Sequence, residues 1–329
     1  MNLGYLVKIS VQTIAILTIC LHLSTVQAQF AGGDGTSASP YQISTPAQMD
    51  FLARKINAEN SAYGNKNYVL TSDIDLSGYG AANTDFNNGN GWIPIGIAYT
   101  TPFNGIFDGN GKKITGLYIN SDNNLVGLFG YFTGTVKNLG LEEVNITGGN
   151  DVGGLAGMLY SGEIANCYVA GNIKGVDQVG SLVGFVCFSK MDNCYAIGSV
   201  SGKNNIGGLV GCSTNGKIEN CAALNSSVEA TDGTLVRRVA GFYAGSLTSL
   251  KNIAFSGMKV WSRGSLLEPV NDDPNYLADG KGCTTSEITA MKFSEMFIFA
   301  TPNDDFWTYE AGKLPGFGEA INMPDYFFK

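Results

Sequence analysis

Histidine is nearly missing from this chain: among 329 residues there is one, His22, and it sits inside an N-terminal apolar run. Histidine is the usual general base near neutral pH and a common zinc ligand. Its absence from residues 23 to 329 excludes Ser-His-Asp and Cys-His catalysis, and His-ligated zinc, from the processed protein. Charge is scarce too, at 15% of residues, and unbalanced, with 20 basic against 28 acidic side chains. A net charge of −8 makes nucleic acid and acidic membrane surfaces unfavourable partners, since both repel an acidic chain. No Gly/Ser linker or block of like charge divides the sequence, so it reads as one continuous unit with caps.

The apolar run spans Ile9 to about Leu23, follows Lys8, and gives way to Ser24-Thr25-Val26-Gln27-Ala28. A short basic start, an apolar core and small residues before a cut are the pattern of an export signal. Cleavage is expected after Ala28, with Gln29 the first mature residue, and the protein is expected to be extracellular, on the cell surface or in the periplasm. The run falls short of the roughly 20 residues a membrane helix needs, so no transmembrane segment is expected after processing. Lipid attachment at Cys20 is disfavoured because Ile19, not a small residue, precedes it. Removing the leader takes away Lys8 and no acid, which leaves 19 basic against 28 acidic residues.

What the chain does have is glycine, 44 residues of it, and a repeat. Val152-Gly153-Gly154-Leu155-Ala156-Gly157 recurs as Val179 to Gly184 and as Ile206 to Gly211, and Asn166-Cys167, Asn193-Cys194 and Asn220-Cys221 keep the same 27-residue step. A fixed period of this length means that one small unit is stacked, each copy burying its neighbour's apolar face. Each copy holds short apolar runs bounded by glycine and no helical period, which suits one coil of a parallel β-solenoid. Equivalent residues then form ladders about 4.8 Å apart: Val152/Val179/Ile206, Leu155/Leu182/Leu209, Ile164/Met191/Ile218 and Cys167/Cys194/Cys221. A looser copy runs from Val239 to Gly245, and the 33-residue step from Ile206 to Val239 implies a loop bulging out near Asn225 to Arg238.

Outside the repeats, Ala31 to Ile43 reads as an extended lead-in. Thr45-Pro46-Ala47-Gln48 fits a capping box with proline at the first helical position, and Met49, Leu52, Ala53 and Ile56 follow as a core-facing stripe. Asp108-Gly109-Asn110-Gly111 reads as a tight turn, and not as a calcium loop, because Lys112 and Lys113 stand where ligands would have to follow. Thr284-Thr285-Ser286-Glu287 is a second capping box, ahead of Ile288, Met291 and Phe297, and Trp307 to Phe317 reads as a terminal strand or cap.

Gly127-Leu128-Phe129-Gly130, the Val-Gly-Gly-Leu-Val-Gly theme and the Ile-x-Asn-Cys-Tyr theme resemble the GLUG motif family of secreted bacterial surface proteins. Phe103 to Gly111 resembles the segment that commonly precedes such repeats, and the likeness covers roughly residues 100 to 255. Similar repeats occur in immunoglobulin A peptidases and filamentous-haemagglutinin-like adhesins. The resemblance implies an all-β, right-handed parallel β-helix, here of about six coils with short capping helices at each end. It carries no activity, because the motif is structural. A peptidase would need a His-Glu-x-x-His helix or an equivalent zinc site, which the histidine count disfavours. The expected organisation is a signal peptide over 1–28, a lead-in and cap with one short helix over 29–100, repeats over 101–265, and a C-terminal cap over 266–329.

Six cysteines remain beyond the leader: Cys167, Cys187, Cys194, Cys212, Cys221 and Cys283. Three of them share one ladder position and are expected to be free buried thiols acting as small hydrophobes. For Cys187, Cys212 and Cys283 the residues leave disulfides open. Tyr168 and Tyr195 follow two of the ladder cysteines, so alternation turns them to the outer face. There they are either ordinary strand tyrosines or a stacked platform that could hold a sugar ring or a partner's apolar patch. The expected role is an adhesin-like binding or structural module with glycans or surface proteins, host or bacterial, as partners and with no cofactor or metal. The alternative is a polysaccharide lyase or glycosidase, for which Asp73, Asp75, Arg237 and Arg238 are the candidate residues.

Overall fold

The computed structural model describes residues 30–245, 251–267, 278–290 and 306–329. The leader with its cut after Ala28, Cys20, and Met291 and Phe297 lie outside the described residues. The fold is a parallel β-helix. Its longest sheet stacks nine successive rungs: Tyr41–Ile43, Asn67–Leu70, Ile106–Thr115, Thr135–Thr147, Glu163–Lys174, Tyr195–Gly202, Ala222–Ala223, Ile253–Phe255 and Lys281–Cys283. A second sheet stacks Phe129–Phe132, Ala156–Tyr160, Val183–Cys187, Val210–Thr214 and Ala240–Ala244, and a third stacks Asp177–Gly180, Asn204–Gly207 and Val236–Arg237.

The register is the repeat made visible. Val179 pairs with Ile206, Val183 with Val210, and Tyr168 with Tyr195. The ladders Val152/Val179/Ile206, Leu155/Leu182/Leu209 and Ile164/Met191/Ile218 are fully buried. Deleting one such leucine to alanine would cost about 2–5 kcal/mol, since a close-packed rung cannot collapse onto the hole.

Three corners close each 27-residue coil, and each is made by one residue in the left-handed region. One corner uses Asp151, Gln178 and Asn205, the next Ser161, Phe188 and Asn215, the third Asn166, Asn193 and Asn220, all with φ between 48° and 57°. Asparagine tolerates this backbone because its short polar side chain bonds locally. Asn166 Nδ2 donates to Asn138 Oδ1 at 3.1 Å, and Asn138 Nδ2 to Asp108 Oδ1 at 3.0 Å. The Asn-Cys repeat thus encodes a corner followed by a core thiol.

The stack makes about eight turns rather than six. The two rungs before the repeats, Tyr41–Ile43 and Asn67–Leu70, are already solenoid. Tyr41 pairs with Tyr68 at the same 27-residue step, but helix α1 (Pro46–Tyr63) fills that coil in place of glycine-bounded strands, and the next step, from Tyr68 to Phe107, is 39. That helix is long, at 18 residues, not short. Thr45 caps it by accepting from Gln48 N at 3.3 Å, while Gln48 reaches back to Ser44 N at 2.8 Å. Met49, Leu52, Ala53 and Ile56 are buried in the core beside the terminal rung. At the other end α2 (Thr285–Ala290) follows the last rung, with Thr284 and Glu287 exchanging the reciprocal bonds of a capping box.

Two further expectations change. Asp108-Gly109-Asn110-Gly111 does not reverse the chain: it lies within the strand Ile106–Thr115, where the register slips between Asp108 and Lys112. Asn110 and Gly111 do take positive φ, but to turn a corner of the solenoid. The extra residues after Ile206 are also not one bulge. Ser199 pairs with Ser227, Val210 with Ala240 and Ala222 with Ile253, so the coil lengthens in small steps at successive corners while its strands stay in register.

Candidate functional site

The outer face of the long sheet is where Tyr168 and Tyr195 point, and their rings stack at 5.2 Å with planes 10° apart. They are not exposed. Both are fully buried, because the C-terminal segment folds back along the side of the solenoid instead of closing its end. Trp307 and Phe317, paired across a small antiparallel ladder, pack on the two tyrosines: Trp307 lies 5.9 Å from each ring and Phe317 5.4 Å from Tyr168. Tyr195 donates to the carbonyl of Pro315, and Tyr168 to Glu142 at 2.6 Å. Lys113 bridges Glu142 and Glu319, and Tyr326 donates to Leu224 O at 2.6 Å. Burial pushes both phenols far above their ordinary pKa. A platform for an external ligand is therefore corrected to a platform occupied by the chain's own strap.

Cys167, Cys194 and Cys221 stack in the core as free thiols, Cys187 and Cys212 are free and buried as well, and Cys283 is buried. Each ladder thiol lies within 3.2 Å of the carbonyl two residues earlier. Burial drives the Cys167 and Cys221 thiols well upward, so they serve as packing and not as nucleophiles.

The candidate enzyme residues are not assembled into a site. Asp73 accepts from Lys113 N of the strand Ile106–Thr115 at 2.9 Å, tying two coils together, and Asp75 accepts from Ser77 N at 2.8 Å, fixing a local turn. The Ser77 bonds hold the Asp75 carboxyl below its ordinary pKa, away from a general acid. Arg238 is buried and donates to Gly280 O, whereas Arg237 is partly exposed and faces Asp279 at 3.6 Å. Among the described residues no three His, Cys, Asp or Glu side chains form a metal-ligating group.

The second sheet presents a different surface. Tyr99, Tyr131, Tyr160 and Phe188 form a row of rings 4.8, 6.4 and 6.1 Å apart in succession. Tyr99 is 62% exposed, Phe188 57% and Tyr160 38%, with Phe242 at 39% on the same sheet. Beneath the row Leu125, Met158 and Cys187, with Tyr131 and Phe185 against them, make a small apolar cluster separate from the main core. Phe188 is a corner residue at φ 48°, where its counterparts are Ser161 and Asn215. A bulky side chain there costs about 1–3 kcal/mol of strain. A trough of about 640 Å³ runs along this corner past Gly134, Ser161, Gly162, Phe188 and Lys190. Sequence reasoning missed this face because its aromatics do not recur at one repeat position. The signal available was Phe188 standing where the neighbouring copies carry polar residues.

Fold and repeats together define the class: a parallel β-helix built from glycine-rich coils. The chain carries the GLUG motif, whose model matches residues 202–229. It is 38% identical over 130 residues to "Halomucin" of Haloquadratum walsbyi, which covers 38% of this chain and 1% of that protein. Over 121 residues it is 40% identical to a "Putative Gly-rich membrane protein" of Evansella cellulosilytica, covering 36% of this chain and 13% of that one. The chain thus spans only a small part of either relative's length. Among solved structures it is similar to the crystal structure of a "putative immunoglobulin A1 protease" from Bacteroides ovatus, with a TM-score of 0.60 at 20% identity over 88% of this chain and 95% of the other. That likeness is one of fold.

Proposed function

We propose that the protein is a non-catalytic binding module of the cell exterior, adhesin-like in action, with the open face of the second sheet as its contact surface. The observation that carries this reading is the exposed row Tyr99, Tyr131, Tyr160 and Phe188 on a rigid scaffold. Aromatic rings offer large contact area at little loss of side-chain freedom, and their faces suit sugar rings or a partner's apolar patch. Strain at Phe188 favours a selected role for that ring, since a polar residue would fit the corner better. Export is supported by the leader pattern, and surface placement by the likeness to halomucin and to a Gly-rich membrane protein. No helix among the described residues is long and apolar enough to cross a membrane.

Against turnover stand the engaged carboxylates Asp73 and Asp75 and the lack of any histidine beyond His22. The acidic balance weighs against nucleic acid. The test is a glycan array and a panel of host and bacterial surface proteins, probed with the chain from Gln29 onward and with a folded Tyr160→Ala/Phe188→Asn variant. Binding that the variant loses supports the reading. Two blank screens, or binding that the variant keeps, overturn it.

A further inference from the structure

A pocket of about 340 Å³ lies at one end of the aromatic row, lined by Asn87, Trp92, Ile97, Ser121, Asn123 and Asn124 among others. Its size is that of a small-molecule site. None of its lining residues is titratable, so nothing there would compensate a ligand's charge on burial. What it offers above an apolar wall is the Ser121 hydroxyl, the Asn123 amide, and the amide atoms of Asn87 and Asn124 that are not engaged with Gly91 O and Asn150 N, donors and acceptors both. That combination matches a neutral ring carrying several hydroxyls, which needs paired donors and acceptors on its edge and an apolar surface against its face.

Two connections join the pocket to the row. Ile97, 48% exposed, lies two residues before Tyr99, which packs edge-on against Tyr131 at 4.8 Å. Leu125 lines the pocket and also packs in the small cluster with Tyr131. One residue of the pocket wall is strained as Phe188 is: Leu125 sits at φ 59°, at the corner position that Asp151 holds in the next coil. A leucine in that region is uncommon, and such residues persist where the surroundings fix them for a purpose.

We propose that this pocket holds one uncharged sugar unit of a glycan whose neighbouring rings lie along Tyr99, Tyr131, Tyr160 and Phe188. The assignment rests on the open-face reading above and adds to it the ligand's class and its anchoring point. The rings follow one another at 4.8, 6.4 and 6.1 Å, one from each successive excursion of the chain, which suits a ligand made of consecutive rings.

The test titrates the protein with methyl glycosides of glucose, galactose, mannose and N-acetylglucosamine, and with the corresponding linear tetrasaccharides, by calorimetry. Asn123 is exposed at the pocket mouth, so Asn123→Trp fills the pocket without touching the core; circular dichroism and a thermal melt establish that the variant is folded. At least one glycoside is expected to saturate the parent and to lose binding at least tenfold in Asn123→Trp, while Phe188→Asn changes it less than twofold. Both variants are expected to weaken the matching tetrasaccharide at least fivefold. Tetrasaccharide binding lost in Phe188→Asn but unchanged in Asn123→Trp overturns the pocket and leaves the open-face reading standing. No saccharide binding by the folded parent overturns the pocket as well, and the protein panel then decides the wider reading.

Discussion

Two faces of the same solenoid carry aromatic residues in rows, and they have opposite fates. On the long sheet Tyr168 and Tyr195 are stacked, sealed and hydrogen-bonded by the C-terminal strap. On the second sheet Tyr99, Tyr160 and Phe188 remain in solvent with no segment of the described chain laid over them. The covered row stabilises the fold, since each buried ring withdraws apolar area from water. The open row contributes little to stability and in Phe188 subtracts from it. Exposure of large apolar side chains on one face, beside a face where the fold covers them, is what the proposed binding role rests on.

The largest effect should come from uncovering the sealed row. Trp307→Ala is expected to cost about 3–5 kcal/mol in urea unfolding, because it empties a buried aromatic site, and to make Tyr168 and Tyr195 reactive toward a nitrating reagent. A loss below about 1 kcal/mol with the tyrosines still protected would mean that the strap is not what covers them.

Next comes the corner that leads into the open sheet. Asp151 has its carboxyl pushed up to about 6, by burial first and by Asp177 second. Because the folded pKa lies above the unfolded value, the fold holds this proton more tightly, and stability falls as pH rises from about 4 through about 6. Asp151→Asn, which copies Asn205 two coils on, should therefore gain about 1–2 kcal/mol at neutral pH after allowance for solvent screening. The gain should shrink toward zero below about pH 4, and thermal melts at both pH values would detect a gain that fails to change.

Phe188→Asn should stabilise by about 1 kcal/mol by relieving the left-handed strain while weakening any ligand of the open face, as titration and melting on one preparation would show. Smallest is Tyr160→Ala, expected to shift stability by no more than about 0.5 kcal/mol, in contrast with the buried Tyr195, where the same change should cost about 3–5 kcal/mol. Equal losses at the two tyrosines would erase the distinction between the faces.

The repeat was legible in full where glycine and apolar residues recur, from Val152 to Gly211, because a stacked coil demands glycine where neighbouring backbones pass closely and a hydrophobe in each ladder. Less was legible at Tyr41–Ile43 and Asn67–Leu70, where α1 replaces the glycine-bounded strands of a coil although the 27-residue step is kept, and after Ile206, where short insertions at corners mimic one long bulge. The orientation of Tyr168 and Tyr195 followed from alternation, but their burial did not, since nothing in those residues reports a segment more than a hundred positions away. The open row and the pocket were not read at all, for they draw Ile97 and Tyr99, Asn123, and Phe188 from three separate excursions of the chain.

What the sequence determined by itself is the local rule: a period near 27 residues, asparagine and glycine at corners, thiols and aliphatics within, and no histidine beyond His22. These follow from backbone sterics and side-chain chemistry, which act within a coil and between neighbours. Which aromatic row is covered and which stays open was decided by tertiary structure alone. The strap returns along one sheet because Trp307, Pro315 and Phe317 can bury their surface against Tyr168 and Tyr195 there, and a contact between residues so distant in sequence leaves no periodic trace.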